Sequence, residues 1–251
     1  MSTPSDADHS LFISDLHLNP QRPDITQAFV RFCQTRAAHA KTLYILGDLC
    51  DAWLGDDDDS ETANMLRQQL KSLVSAGVAV FIMTGNRDFL IGKQFAQDTG
   101  CQLLVDPSVI DLYGQRVLLM HGDSLCTSDQ EYMAFREQIR NPQMQQLLLS
   151  KTLDERRDIA KMLRDQSKSA NATKAADIMD VTPAEVELAL AEHQVNILIH
   201  GHTHRPHIHS LNANAQATEP VKKRYVLGDW DTKGWCIMAN KDGLTLESFD
   251  F

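Results

Sequence analysis

Five times along the 251 residues, a short apolar run ends in a cluster of residues able to bind metal. Leu11-Phe12-Ile13 precedes Ser14-Asp15-Leu16-His17, and Leu43-Tyr44-Ile45-Leu46 precedes Gly47-Asp48-Leu49-Cys50-Asp51. Val78 to Met83 leads into Gly85-Asn86-Arg87-Asp88, and Val117 to Met120 into His121-Gly122-Asp123. Val195 to Ile199 leads into His200-Gly201-His202-Thr203-His204. Runs rich in Val, Ile, Leu and Tyr suit strands buried on both faces.

Helical spacing fills the gaps between the early strands, with Ile25, Phe29 and Phe32 on one face and Leu66, Leu70 and Leu73 on another. Strand-helix-strand order implies parallel pairing, which gathers the C-terminal strand ends, and their five clusters, on one edge where α/β sheets bind ligands. From Tyr113-Gly114-Gln115 onward hairpins are expected, the end of the chain, Arg224 to Phe249, reads as a β-meander, and two sheets are expected in all. Asp129 to about Asp180 breaks the rhythm and reads as a helical cap inserted into a single domain spanning 1–251.

Composition narrows the functions. Lys and Arg number 24 against 34 Asp and Glu, a net charge of -10, so nucleic-acid binding through a basic field is not expected and an anionic substrate must be captured locally. The residues from Lys151 to Lys174 run against this: seven cations and four anions make them +3, leaving -13 elsewhere. Substrate phosphates or anionic headgroups account for such a contrast. The five cysteines are scattered without a C-x-x-C pair and read as reduced thiols. No apolar run approaches the ~18 residues of a spanning helix. The polar start, Met1 to Ser10, lacks the pattern of a secretory leader, so a cytoplasmic location is expected.

Asp15 and His17 are two apart, as are His202 and His204, so each pair can face one cation from a strand end. Asp48, Asn86 and His121 complete a set of seven oxygen and nitrogen donors with no thiolate, suited to Mn, Fe or Zn in an open site. Seven ligands fit two ions if one carboxylate bridges them, and Asp48 is the expected bridge.

In this order, D-x-H, G-D-x-x-D, G-N-x-D, H-G and G-H-T-H resemble the calcineurin-like binuclear metallophosphoesterases. That resemblance implies a four-layer α-β-β-α sandwich, with Asp15, His17, Asp48 and His204 on one metal and Asp48, Asn86, His121 and His202 on the other. The fuller segments Ala-Trp-Leu-Gly-Asp-Asp at 52 to 57, Gly-Asn-Arg-Asp-Phe-Leu at 85 to 90, Met-His-Gly-Asp-Ser-Leu-Cys-Thr at 120 to 127 and Ile-His-Gly-His-Thr-His-Arg-Pro at 199 to 206 are similar to the UDP-2,3-diacylglucosamine pyrophosphatase family of lipid A biosynthesis. The similarity implies two Mn(II) ions and hydrolysis of a UDP-linked diacylated glucosamine lipid to UMP and 2,3-diacylglucosamine 1-phosphate. The expected step is attack of a hydroxide held between the metals on the α-phosphorus, by a peripheral protein on the cytoplasmic face of the inner membrane. No obligate protein partner is inferred. Substrate contacts are implied for Asn86, Arg87, Asp129, Ser167, Asn171, Lys174 and His202, with Asp48, Asn86 and Arg87 at the catalytic centre.

Arg87 is informative in its own right. The wider fold family often has His there, able to protonate an alkoxide, whereas Arg keeps its proton and can only clamp phosphoryl oxygens. A diphosphate expels a phosphate monoester, which needs no such acid, so Arg87 favours a pyrophosphate substrate. Ser167, Asn171 and Lys174 stack on one helical face. Asp51, Asp88, Asp123 and His200 read as residues that orient ligands or cap turns, and Asp56 to Asp59 as a solvated loop. The competing readings are a soluble nucleotide-sugar or ADP-ribose-type pyrophosphatase, a nuclease, and a binding scaffold on a degenerate phosphoesterase fold.

Overall fold

The structure, a computed structural model, describes residues 9–171, 178–211 and 221–251. Strand and helix alternate through β1 (Ser10–Ile13), α1 (Pro23–Thr35), β2 (Thr42–Leu46), α2 (Glu61–Ser75), β3 (Ala79–Met83), α3 (Lys93–Thr99) and β4 (Gln102–Leu104). A hairpin follows, β5 (Ser108–Leu112) and β6 (Gln115–Leu119), then four helices: α4 (Gln130–Arg140), α5 (Pro142–Leu149), α6 (Leu153–Asn171) and α7 (Pro183–Glu192). The chain closes with β7 (Ile197–His200), β8 (His207–Ser210), β9 (Lys223–Val226), β10 (Gly234–Asn240) and β11 (Gly243–Phe249).

The first sheet has the order β11-β10-β1-β2-β3-β4, parallel from β1 to β4, and the second the order β5-β6-β7-β9-β8, with β6, β7 and β9 parallel. Strand alternation sorts the side chains into layers. Leu11 and Ile13 of β1 pack under α1 to α3 with Phe29, Phe32, Leu66 and Leu70. Phe12 between them turns to the other face, joining Leu46, Val117, Leu119 and Ile199 between the sheets. Leu118 and Leu198 reach the far side, against Val186 and Leu190 of α7. This is the expected four-layer α-β-β-α sandwich.

Local chemistry agrees with the helices. Pro23 opens α1, and Ser60 caps α2 by accepting from the Ala63 N–H at 3.2 Å. The run Asp56 to Asp59, by contrast, is solvated only at Asp57 and Asp59, with Asp56 and Asp58 drawn into the fold. Asp56 accepts from the N–H groups of Gly92 (2.9 Å) and Phe95 (3.1 Å) at the start of α3, Asp58 is 5% exposed, and Asp57 pairs with Arg156 of α6. Unpaired N–H groups at a helix start draw the carboxylate inward.

The C-terminal meander is also corrected. Only β10 and β11 form a hairpin there, because β9 lies in the second sheet and β10 pairs with β1 in the first. Trp230 anchors the crossing: its ring is 1% exposed, its Nε1–H donates to the Trp235 carbonyl, and its N–H donates to that of Asp15. Helices α4 to α6 interrupt the passage from β6 to α7, with Ile139 the buried residue of α4 and none in α5. Among the described residues, no helix is long and apolar enough to cross a membrane.

Candidate metal centre

The parallel strands β1, β2, β3, β6 and β7 all run out on one edge, and the loops leaving them carry Asp15 and His17, Asp48, Asn86, His121, and His202 and His204. Asp15, His17, Asp48, His202 and His204 each have positive φ, between 49° and 66°. Non-glycine residues pay for that conformation, by about 1–3 kcal/mol each, and hold it only where surrounding bonds impose it. Here Asp15 N–H donates to Gly47 O at 3.1 Å and His17 N–H to Asp48 O at 3.0 Å. The two-residue spacing thus brings Asp15 and His17 together through a left-handed turn, where the sequence suggests a strand pleat.

Two overlapping groups result, Asp15 with His17 and His204, and Asp15 with Asp48 and His121, their donor atoms all within 4.8 Å of one another in each group. Asp48 lies between the halves: Oδ2 is 3.9 Å from His17 Nδ1 and Oδ1 is 3.7 Å from His121 Nε2. Asn86 Oδ1 sits 3.1 Å from His121 Nε2 and 3.0 Å from His202 Nδ1. His17 Nε2 and His204 Nε2 are 3.2 Å apart. All seven sequence-predicted donors are therefore gathered in one place.

The donors fit divalent ions. Asp15 Oδ2 already accepts from Ser14 Oγ (2.5 Å) and the His202 N–H (2.9 Å), while its Oδ1 is ion-paired with His204 Nε2 at 3.5 Å and His17 Nδ1 is buried without a hydrogen-bond partner among the described residues. Leaving a buried polar atom unpaired costs about 1–3 kcal/mol, which a cation on it removes. An oxygen and imidazole set without thiolate suits a borderline or hard ion.

In the metal-free chain three of the donors, Asp48, His121 and His204, hold their protons more tightly than usual, whereas Asp15, His17 and His202 hold theirs less tightly. Burial pushes Asp48 up to about 7, against the pull of His121. Burial opposes the charge on His121, but Asp48, Asp123 and Asp15 raise it to about 9. Burial likewise opposes the charge on His204, yet its bonds to Asp15 and Asp229 carry it to about 10. His202, buried and beside His121, is held down to about 3 and stays neutral.

Supporting residues fix the loops. Asp88 accepts from Leu49 N–H (2.8 Å) and Gly85 N–H (2.6 Å), joining the loop of Asp48 to that of Asn86. The glycines of G-N and G-H are required by close approach: a Cβ on Gly85 would lie 2.1 Å from Asp48 Oδ1, and one on Gly201 2.2 Å from Asp15 Oδ2. His121 Nδ1–H donates to Leu46 O at 2.8 Å, leaving Nε2 for the centre. Asp123 accepts from Tyr132 Oη (3.1 Å) and Arg136 Nε (2.9 Å), and Asp51 pairs with Arg164. His200 is fully buried and donates through Nδ1 to Gly201 O.

Two contributors are not legible in the sequence. Asp229 Oδ2 lies 3.3 Å from His204 Nδ1, and the Tyr132 ring tilts against His202 at 5.4 Å. Both come from segments remote from their partners, the first beside the Gly228 that the crossing strand packs on.

Six of the donors, all but the fully buried His121, line a groove of about 910 Å³ that also includes Arg87, Asp129, Ser167 and Arg164. Asp129 caps α4, its Oδ1 accepting from the Tyr132 N–H at 3.0 Å. Arg87 donates through Nη2 to Ser167 Oγ at 3.1 Å. The side chain of Asn171 and the whole of Lys174 lie outside the described residues. Sharing Asn86, Arg87 and Ser167 with the groove is a second cavity of about 250 Å³, walled by Trp53, Leu90, Phe135, Leu148, Ile159 and Leu163.

A two-sheet sandwich whose strand-end loops converge Asp, Asn and His donors defines a metallophosphoesterase, a metal-dependent hydrolase. The model of the calcineurin-like phosphoesterase family matches residues 9–206. A UDP-2,3-diacylglucosamine hydrolase of Cellvibrio japonicus is 52% identical over 96% of this chain and 99% of its own. A protein of the same name from Pseudomonas putida W619 is 50% identical over 96% and 99%. Another, from Pseudomonas aeruginosa UCBPP-PA14, is 50% identical over 93% and 95%. The chain belongs to the calcineurin-like phosphoesterases and, within them, to the UDP-2,3-diacylglucosamine hydrolase family.

Proposed function

We propose that this protein hydrolyses the pyrophosphate bond of UDP-2,3-diacylglucosamine, giving UMP and 2,3-diacylglucosamine 1-phosphate for lipid A biosynthesis. The observation that carries this reading is the apolar cavity opening from the metal groove beside Arg87 and Ser167. It gives acyl chains a place next to phosphoryl-binding groups, as an anionic lipid requires. A soluble nucleotide sugar leaves those apolar walls without a ligand, so the lipid reading is preferred.

Asp15, His17, Asp48 and His204 would hold one Mn(II), and Asp48, Asn86, His121 and His202 a second, with Asp48 shared. Two such ions supply Lewis acidity and lower the pKa of bound water. The chain's own residues do the rest. Asp88 and the Leu46 carbonyl hold Asp48, Asn86 and His121 in place. Arg87, fixed by its backbone bond to Asp48 Oδ1 at 2.8 Å, keeps a permanent positive charge toward the diphosphate. It has no proton to give, which the phosphate leaving group tolerates. Helices α4 to α6 act as a cap inserted in one domain, with Asp129 and Ser167 at the groove and Asn171 and Lys174 as further contacts to the acylated sugar. Attachment to the cytoplasmic side of the inner membrane follows from the substrate.

Turnover of UDP-2,3-diacylglucosamine with Mn(II) in oxygen-18 water, read by phosphorus NMR, tests the reading. The label is expected in UMP. Label confined to the lipid phosphate reverses the site of attack, and no turnover refutes the substrate.

A further inference from the structure

The cap-side wall of the groove carries a second guanidinium. Arg164, on α6, lines both the metal groove and the apolar cavity, as do Arg87, Asp51 and Ser167. It is about a quarter exposed and is ion-paired with Asp51. The Nε groups of Arg87 and Arg164 are both buried without a hydrogen-bond partner among the described residues. Burial, then the charge of Arg87, lowers the pKa of Arg164, against the pull of Asp51. Arginine keeps its proton in a protein, so the pair offers two cations on one wall, each with donors to spare for an anion.

We propose that Arg164 is a phosphoryl-binding residue that leaves Asp51 for the sugar-side phosphate of the substrate, holding the departing phosphate monoester together with Arg87. The inference rests on the lipid pyrophosphatase reading. Ala160 and Leu163, the helical neighbours of Arg164, wall the apolar cavity, so acyl chains there bring the sugar and then its phosphate to the Arg164 guanidinium. When a water oxygen, its proton lost to solvent, bonds to the uridine-side phosphorus, the bond from that phosphorus to the bridging oxygen breaks. The electron pair stays on the bridging oxygen, and the sugar-side phosphate gains one negative charge. A fixed cation at that position stabilises the transition state more than the bound substrate.

The alternative is that the Arg164–Asp51 pair only braces α6 against the body. Arg164→Ala, Arg164→Lys and Asp51→Asn in the full chain with Mn(II) separate the two. Arg164→Ala should lower kcat/KM for UDP-2,3-diacylglucosamine about 10²-fold. It should weaken inhibition by 2,3-diacylglucosamine 1-phosphate roughly tenfold or more while moving inhibition by UMP less than about twofold. Arg164→Lys should recover part of both. Asp51→Asn frees the guanidinium, so the sugar phosphate should inhibit it at least as strongly as wild type. Equal loss of sugar-phosphate inhibition in Arg164→Ala and Asp51→Asn would establish the brace and overturn the proposal, as would unchanged inhibition in Arg164→Ala. Should Arg164→Ala fail to fold, Arg164→Lys against Asp51→Asn decides by the same criterion. No turnover by the wild type overturns the substrate reading itself, a failure distinct from any confined to the variants.

Discussion

Chemistry at the strand ends depends on a few side chains whose charge or lone pairs are fixed by their neighbours. Arg87 is anchored at both ends, by its backbone to Asp48 and by its guanidinium to Ser167. An electrostatic clamp of this kind predicts that Arg87→Ala lowers kcat on the diphosphate by about 10²-fold with metal content unchanged. Arg87→His should restore it poorly, yet gain activity toward a phosphodiester with an alkoxide leaving group, because imidazole can donate a proton. Steady-state kinetics on both substrates with metal analysis checks this. Near-normal diphosphate hydrolysis by Arg87→Ala would remove the clamp.

Elements matter chiefly through how α6 is attached. Arg156 is 5% exposed and donates to the Leu54 carbonyl at 2.6 Å as well as pairing with Asp57, whereas Asp57 is 59% exposed. The two ends of this pair are therefore unequal. Arg156→Ala strands the buried Leu54 carbonyl and should cost about 1–3 kcal/mol locally, while Asp57→Asn should cost less than about 1 kcal/mol. Hydrogen exchange along α6 is the measurement: faster exchange in Arg156→Ala, near-native exchange in Asp57→Asn, and unchanged metal content in both. Equal protection in the two variants would mean that the apolar contacts of the cavity wall, and not the arginine, hold the helix.

For the whole molecule, the centre couples metal to stability. His121 and His204 have folded-state pKa values raised to about 9 and about 10, so their protonation stabilises the metal-free fold most below their ordinary range. That contribution is lost as pH rises through those values. Divalent ions must displace these protons, and the one that burial holds on Asp48 up to about 7. The increase in Tm given by saturating Mn(II) should therefore be small at about pH 5 and grow toward about pH 8. Thermal unfolding with and without Mn(II) across that range tests it. An increment independent of pH would show that the ions bind elsewhere than on these protonated atoms.

Much of this was determined by the sequence alone, because it depends on local pattern. Apolar runs buried on two faces, helical faces such as Ile25, Phe29 and Phe32, and donor clusters at strand ends are properties of short segments, and parallel pairing brings such clusters to one edge. Other features were decided only by tertiary structure, because they depend on which remote surfaces meet. Asp56 belongs to a run that looks solvated until the open start of α3 reaches it, and Asp229 carries no local signal until its segment crosses between the sheets and brings it to His204. Asp15 and His17 look like alternating strand residues, but bonds from Asp15 to Gly47 and from His17 to Asp48 hold both in left-handed conformations that side-chain spacing does not encode. The apolar cavity is the clearest case, since Trp53, Phe135, Ile159 and Leu163 are far apart in sequence and come to wall one cavity only in the folded chain.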